Sequence, residues 1–259
     1  MSNNAITIFE NKLKENAVGF QILPDGRYEI QTETGSVSVS IDNIIRKFNR
    51  DGDESAINRF INSLLDVDGL PLTWAEVQSS LFPMLEGNDL ELSFGTVSKR
   101  VSEKTKLLLT SLSRDHGTIR FLQDVDLARW AISQQRAWAT AESNLDLKMQ
   151  ETKVSFLDAG DLRLAVIEAE EPLKASLIRA PALKNQVSAE FGWPIIAVAP
   201  CRGFVFLMSK RNLDDVGRLG STVIKEFSLS DYPISTEIWE IDDNGIRPLG
   251  FFPITEQTD

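Results

Sequence analysis

Short apolar stretches joined by tight turns limit the possible folds of this sequence more than any other feature. In "FLDAGDLRL" the turn falls at Asp158-Ala159-Gly160, and in "WEIDDNGIRPL" it falls at Asp243-Asn244-Gly245. Glycine, asparagine and aspartate accept the positive φ angles that such turns require. Two strands joined by so few residues must pair antiparallel. The sequence therefore predicts a mostly antiparallel sheet rather than a doubly wound parallel one.

Amphipathic helices are interspersed with these strands. Apolar residues recur at helical spacing over about residues 4–16, 180–191 and 213–228. The tetrad "TWAE" is a capping box, in which Thr73 and Glu76 start a helix predicted to run through about residue 82. Helices that flank an antiparallel sheet define an α+β fold.

The pattern of elements changes at "LEGNDLELSF" and suggests two parts of unequal size. We predict a small N-terminal α+β portion over residues 1–87. It is expected to pack on a larger C-terminal α+β domain over residues 88–259.

Charge and composition restrict the partners. The chain has 27 Lys and Arg against 38 Asp and Glu, a net charge of -11, so its surface repels phosphate backbones and anionic lipid head groups. Binding to nucleic acid or to membranes is therefore disfavoured. Cys201 is the only cysteine, which excludes an intramolecular disulfide, and we found no signal-peptide pattern; both observations predict a cytoplasmic protein.

Single residues that could carry chemistry lack the partners that chemistry needs. His116, the only histidine, lies in "SRDHG", a composition typical of a turn between strands. Cys201 lies between two apolar stretches and is predicted to be a structural thiol. The signatures of P-loops, dinucleotide-binding folds, zincins and α/β-hydrolases are absent from the sequence. We predict no catalytic residue, no metal site and no cofactor, and leave enzymatic activity open.

A weaker motif is the GxxG tetrad at Gly217–Gly220, the pattern with which KH domains clamp a nucleic-acid backbone. Here it falls within a predicted helical stripe, and Asp214, Asp215 and Glu226 outweigh the nearby basic residues. RNA binding through this tetrad is the least favoured function.

The second half carries a family resemblance. The segments are "QDVDLARWAISQQRAWATAESNL", "GWPIIAVAPCRGFVFLMS" and "SDYPISTEIWEI". Over about residues 105–250 the chain resembles DUF1444, the YtpQ-like family of uncharacterised bacterial proteins, and this resemblance implies no particular activity. The matching residues are Asp126, Trp130, Ala141, Asn144, Leu145, Pro200, Arg202, Tyr232 and Pro233.

Two functions of different classes follow. The leading hypothesis is a protein-interaction module, regulatory or chaperone-like, whose acidic surface engages a protein partner. The alternative is a small-molecule-binding protein or hydrolase-like enzyme, with a polar ligand site where the resemblance is densest. The residues predicted for that site are Arg202, Asn144, Trp138 and Asp126.

Overall fold

The chain forms two compact units, Met1–Leu72 and Thr73–Asp259. The computed structural model describes residues 2–24, 26–32, 35–39, 41, 44–45, 48–49, 52, 54–65, 73–92, 94–112 and 119–254. The predicted boundary at residue 87 falls later than this division, because the strand that ends at Gly87 pairs along its length with a strand of the second unit. His116 lies outside the described residues.

Among its described residues, the first unit contains the helices Ser2–Glu15 and Ser55–Leu65 and a three-stranded antiparallel sheet in the order β1-β2-β3. Buried side chains from these helices, from the sheet and from Ile41 form one small core. The elements are α1 (Ser2–Glu15), β1 (Phe20–Ile22), β2 (Tyr28–Thr32), β3 (Gly35–Val39) and α2 (Ser55–Leu65).

The second unit begins with the predicted capping box, which the structure confirms: the side chains of Thr73 and Glu76 each bond the other's backbone N–H. The helix is shorter than predicted. It ends at Val77 and passes through one 3-10 turn, because Leu81 is buried and starts a strand.

A small antiparallel sheet follows in the order β4-β6-β5, with β7 beside β5 on the same edge of β6. All seven residues of β4 are buried. The elements are α3 (Trp74–Val77), β4 (Leu81–Gly87), β5 (Ser98–Arg100), β6 (Thr105–Leu112), β7 (Ile119–Phe121), α4 (Asp124–Arg129) and α5 (Gln134–Glu151).

A larger antiparallel sheet is built from three hairpins in the order β13-β12-β10-β11-β9-β8. The hairpins predicted at residues 158–160 and 243–245 are both present. With helices and antiparallel sheets together, the predicted α+β fold is confirmed. The elements are β8 (Lys153–Ala159), β9 (Leu162–Glu168), α6 (Ala182–Phe191), β10 (Ile195–Cys201), β11 (Phe204–Ser209), α7 (Gly220–Leu229), β12 (Glu237–Asp242) and β13 (Gly245–Phe251).

The central strand β10 is covered on both faces of this sheet. Ile195 and Ala197 belong to the core that also contains buried residues of α5 and α6. Ile196 and Val198 point the other way, into a second core shared with Val223 of α7. Alternation along a strand produces this division, so apolar side chains fill both faces of the sheet at β10.

Candidate functional site

A buried ion pair lies where the small and large sheets meet. Arg202, in the turn after β10, donates from Nε to Oε1 of Glu86 on β4 over 2.7 Å. Both residues are almost fully buried, at 5% and 2% exposure. The guanidinium also lies 4.3 Å from the ring centre of Tyr232. The pair links two sheets through residues that are far apart in the sequence.

Burial gives this pair a large desolvation penalty, and loss of either partner strongly destabilises the fold. Desolvation raises the pKa of Glu86, and the adjacent Arg202 opposes that rise by favouring the carboxylate. A buried charge that loses its partner keeps its desolvation cost. The contact therefore makes the position of the β10–β11 turn against β4 energetically important.

Backbone contacts bring the late Tyr-Pro segment to the same turn. The N–H of Arg202 donates to the carbonyl of Tyr232, and the N–H of Ile234 donates to the carbonyl of Pro200. Cys201 and Pro233 form an isolated β-bridge. Two separate stretches of the family resemblance are thus neighbours in space.

The other three predicted ligand-site residues have structural roles. The Asn144 amide donates to the carbonyls of Gln78 (2.7 Å) and Leu81 (2.9 Å), where the chain enters β4. Trp138 is 2% exposed and packs in the main core, with the Lys99 ammonium 4.4 Å from its ring centre.

Asp126 caps α4. Its carboxylate accepts from the backbone N–H of Gln123 over 2.9 Å and pairs with the Arg120 guanidinium. The side chain is 2% exposed, so the carboxylate is used within the fold.

The predicted site does not converge. Asn144 contacts β4 at Leu81, whereas Arg202 contacts it at Glu86. Five residues of an extended strand span about 16 Å, so these two side chains act at opposite ends of β4. The structure therefore does not bring Arg202 and Asn144 together, and Trp138 and Asp126 each have their own contacts within the fold.

Two further sequence candidates have structural explanations. Burial raises the pKa of the Cys201 thiol, which lowers its thiolate fraction and its reactivity. The GxxG tetrad is helical rather than a loop: Gly217 lies in a 3-10 segment and Gly220 starts α7. Arg218 within it pairs with Asp161 at 2.7 Å. The tetrad lacks the loop conformation that a KH-type backbone clamp requires.

Close to the ion pair, a shallow hollow lies at the junction of the two sheets. We call it the seam groove, and its volume is about 270 Å³. It combines the loop after β4, the turn before β6, the end of α7, the approach to β12 and the segment after β13. Its lining residues are Asn88, Asp89, Lys104, Phe227, Ile234, Ser235, Thr236 and Ile254.

Most polar groups of the seam groove are occupied by contacts within the protein. The Asn88 amide donates to the carbonyl of Glu103 over 2.7 Å, and the Thr236 hydroxyl donates to the carbonyl of Phe252 over 2.8 Å. The Lys104 ammonium lies 3.6 Å from the ring centre of Phe251. The groove therefore offers apolar walls and the Asp89 carboxylate rather than a set of free hydrogen-bonding groups.

Next to the groove residues Ser235 and Thr236, hydroxyl groups cluster around Glu237. Its Oε2 accepts from Ser102 (2.7 Å), Ser235 (3.2 Å) and Thr105 (3.4 Å). These contacts join the β5–β6 turn to the start of β12. Sequence reasoning missed this cluster because its hydroxyl residues form no motif and come from distant segments.

Two exposed apolar side chains lie at the seam groove. Seven large apolar residues are about half exposed or more in the described part of the chain, and two of them are Phe251 and Ile254. Ile254 lines the groove, and Phe251 lies under Lys104, which also lines it. This grouping distinguishes the groove from scattered surface residues, which need no explanation.

A second hollow, of about 290 Å³, lies at the other end of the large sheet, beside Trp193 and Lys210. The positive charges near this hollow are paired with a carboxylate. Glu240, buried on β12, pairs with both Lys210 and Arg247. Lys184 lies over the Trp193 ring and pairs with Asp243. This end of the sheet therefore presents paired charges.

The Glu240 pairing predicts a pH dependence. Hydrogen bonds from Lys210 and Arg247 hold the pKa of Glu240 below its ordinary value of 4.5. The carboxylate therefore stabilises the fold above pH 4.5, and this stabilisation is lost as the pH falls through the lowered native pKa. Since both cations are about half exposed, we expect Glu240→Gln to cost about 1 kcal/mol of unfolding free energy at pH 7.

Urea unfolding of the wild type and Glu240→Gln between pH 7 and pH 3 measures this difference. It should shrink as the pH falls below 4.5. A difference that stays constant over this range would show that the variant loses packing rather than an ionic contact.

The described residues contain no group of three or more His, Cys, Asp or Glu that could hold a metal ion. None of the helices in the described ranges has the length and apolar character needed to cross a membrane. Comparison with protein-family profiles, curated proteins and solved structures finds no match for this chain. The fold and its surface thus define an α+β protein with a shallow apolar groove, and the resemblance to DUF1444 stays a prediction.

Proposed function

We propose that this protein is a protein-interaction module, regulatory or chaperone-like, that binds a segment of its partner in the seam groove. The observation that carries the proposal is the half-exposed Ile254 in the groove lining, together with the half-exposed Phe251 under the lining residue Lys104. Apolar surface gathered around a concavity is typical of a docking site. With a single cysteine the chain forms no intramolecular disulfide, as is typical of cytoplasmic proteins, so we propose that it binds its partner in the cytoplasm.

The size and chemistry of the groove favour a side chain of a partner over a small molecule. Its volume of about 270 Å³ lies below the roughly 300–1,000 Å³ of ligand pockets, which also enclose most of the ligand. The main polar groups of its lining already bond within the protein. An apolar side chain needs none of them, so burial of apolar surface would supply most of the affinity.

Charge indicates the second property of the partner. The chain has a net charge of -11, whereas the groove lining itself contains one carboxylate, Asp89, and one ammonium, Lys104, so the overall charge decides the preference. Opposite charge accelerates association and selects among partners. The segment that fits is therefore apolar with neighbouring lysine or arginine residues.

Selection of displayed random peptides against the purified protein tests this function. Enriched peptides should combine one or more large apolar residues with a positive net charge. Their affinity, measured by fluorescence anisotropy, should fall as salt rises, because the attraction between opposite charges is screened.

Variants locate the binding surface. Ile254→Asp places a charge in the apolar wall and should weaken the selected peptide roughly tenfold or more, a loss of about 1.4 kcal/mol. Leu147→Asp is the matched control, since Leu147 is also about half exposed but lies on α5, away from the groove residues. Equal effects of the two variants, or enrichment of acidic peptides, would contradict the proposal.

A further inference from the structure

The two edges of the six-stranded sheet are unlike each other. At one edge, β13 contains Pro248, which has no N–H to donate, and its pairing with β12 is interrupted at Ile238 and Trp239. Proline and irregular pairing are devices that keep an edge strand from pairing with another chain. This edge is protected.

The opposite edge, β8, lacks these devices. It pairs with β9 without interruption from Lys153 to Ala159 and contains neither proline nor glycine. A regular edge strand with free outward backbone groups is a template for an additional strand.

The direction of the backbone groups of β8 follows from one side-chain contact. The N–H of Val154 donates to the side-chain oxygen of Gln186 over 3.1 Å, so it points away from β9. In an antiparallel pair every second residue shares this direction, which places the N–H and C=O of Phe156 and Asp158 outward. Among the described residues, no loop or side chain bonds to the backbone of these two residues.

We propose that β8 is the self-association surface of this protein, on which the β8 strand of a second copy pairs antiparallel. Gln186 already accepts the outward N–H of Val154, so the residues of β8 whose outward backbone groups are free are Phe156 and Asp158. A two-fold arrangement pairs Phe156 of one copy with Asp158 of the other, forms about four backbone hydrogen bonds and places Leu157 opposite its own copy.

Charge favours a second copy at this edge. Lys153 and Asp158 balance within β8, whereas the whole chain has a net charge of -11. Two copies repel each other over most of their surfaces, and a neutral strand is where they approach at least cost. Like charges do not face each other in this register, which is the condition for cross-strand pairing.

Sedimentation equilibrium of the full chain, from about 10 µM to about 1 mM, measures the association. We expect a monomer–dimer equilibrium that shifts toward dimer as salt rises, since salt screens the repulsion. Amide hydrogen exchange at Phe156 and Asp158 should slow as the dimer forms. A monomer over the whole range, or a dimer in which these two amides exchange as fast as in the monomer, would overturn the proposal.

Matched variants isolate the backbone contact. Asp158→Pro removes an outward N–H and should weaken dimerisation roughly tenfold, while Asp158→Ala keeps the N–H and should dimerise as the wild type does. Leu157→Asp places like charges at the two-fold axis and should abolish the dimer, whereas the neutral Leu157→Asn should retain it. Circular dichroism identifies any variant that fails to fold. Folded Asp158→Pro and Leu157→Asp proteins with wild-type dimerisation would contradict the proposed register.

Discussion

Arg202→Met is expected to lower the free energy of unfolding by about 3–5 kcal/mol, because it leaves the Glu86 carboxylate buried without its counter-charge. Both members of the pair are almost inaccessible to water, so solvent cannot replace the lost contact. The loss should grow as the pH rises from acid to neutral. Burial raises the pKa of Glu86 and Arg202 opposes that rise, so without Arg202 the pKa rises further and the native variant retains a proton that the unfolded chain releases over this range.

Urea unfolding at pH 7 measures the change, and a double-mutant cycle identifies its source. Glu86→Leu combined with Arg202→Met should recover most of the lost stability, because apolar residues of similar volume replace a buried pair at little cost. The control is Arg163→Met, which removes an exposed ion pair with Asp158 and should change stability little. Arg202→Met with near wild-type stability would show that the pair contributes nothing to joining the sheets.

Trp138→Ala is expected to cost about 3–5 kcal/mol, as truncation of a buried aromatic residue usually does. Trp138 is 2% exposed and packs in the main core with residues of the same helix, such as Ala141 and Leu145. Trp138→Phe keeps an aromatic ring and should lose less. The control is Val125→Ala, since Val125 is 63% exposed and its truncation should change stability by no more than about 0.5 kcal/mol.

Thermal and urea unfolding of these variants distinguishes a core tryptophan from one that lines a ligand site. A core residue loses stability on truncation, whereas a ligand-lining residue can be replaced in a protein that remains stable. A Trp138→Ala protein with wild-type stability would therefore restore the hypothesis of a ligand site on α5.

Much of the architecture was predictable from short sequence patterns. The Asp243-Asn244-Gly245 turn and the capping box of Thr73 and Glu76 depend on residues within a few positions of each other. Their geometry is set by local hydrogen bonds and by the conformations that glycine, asparagine and threonine accept. These patterns were sufficient to predict antiparallel pairing and the α+β class.

The helix predicted to run through residue 82 shows where local patterns fail. The capping box sets where a helix starts, but pairing of Leu81 and the residues after it with β6 decides where this one stops. Burial and strand pairing across the sheet outweigh local helical preference. The division between the two compact units likewise lies before β4 rather than after it, because β4 pairs with β6.

The sequence by itself determined the fold class, the hairpins, the lack of common catalytic motifs and the acidic charge of this protein. Only the tertiary structure decided that Arg202 pairs with Glu86, 116 positions away, and that Asn144 lies at the other end of β4. It also decided that segments around Asn88, Phe227, Thr236 and Ile254 form one groove. Turns and caps arise from neighbouring residues, whereas buried ion pairs and grooves arise from packing between segments whose separation in the sequence carries no signal of their contact.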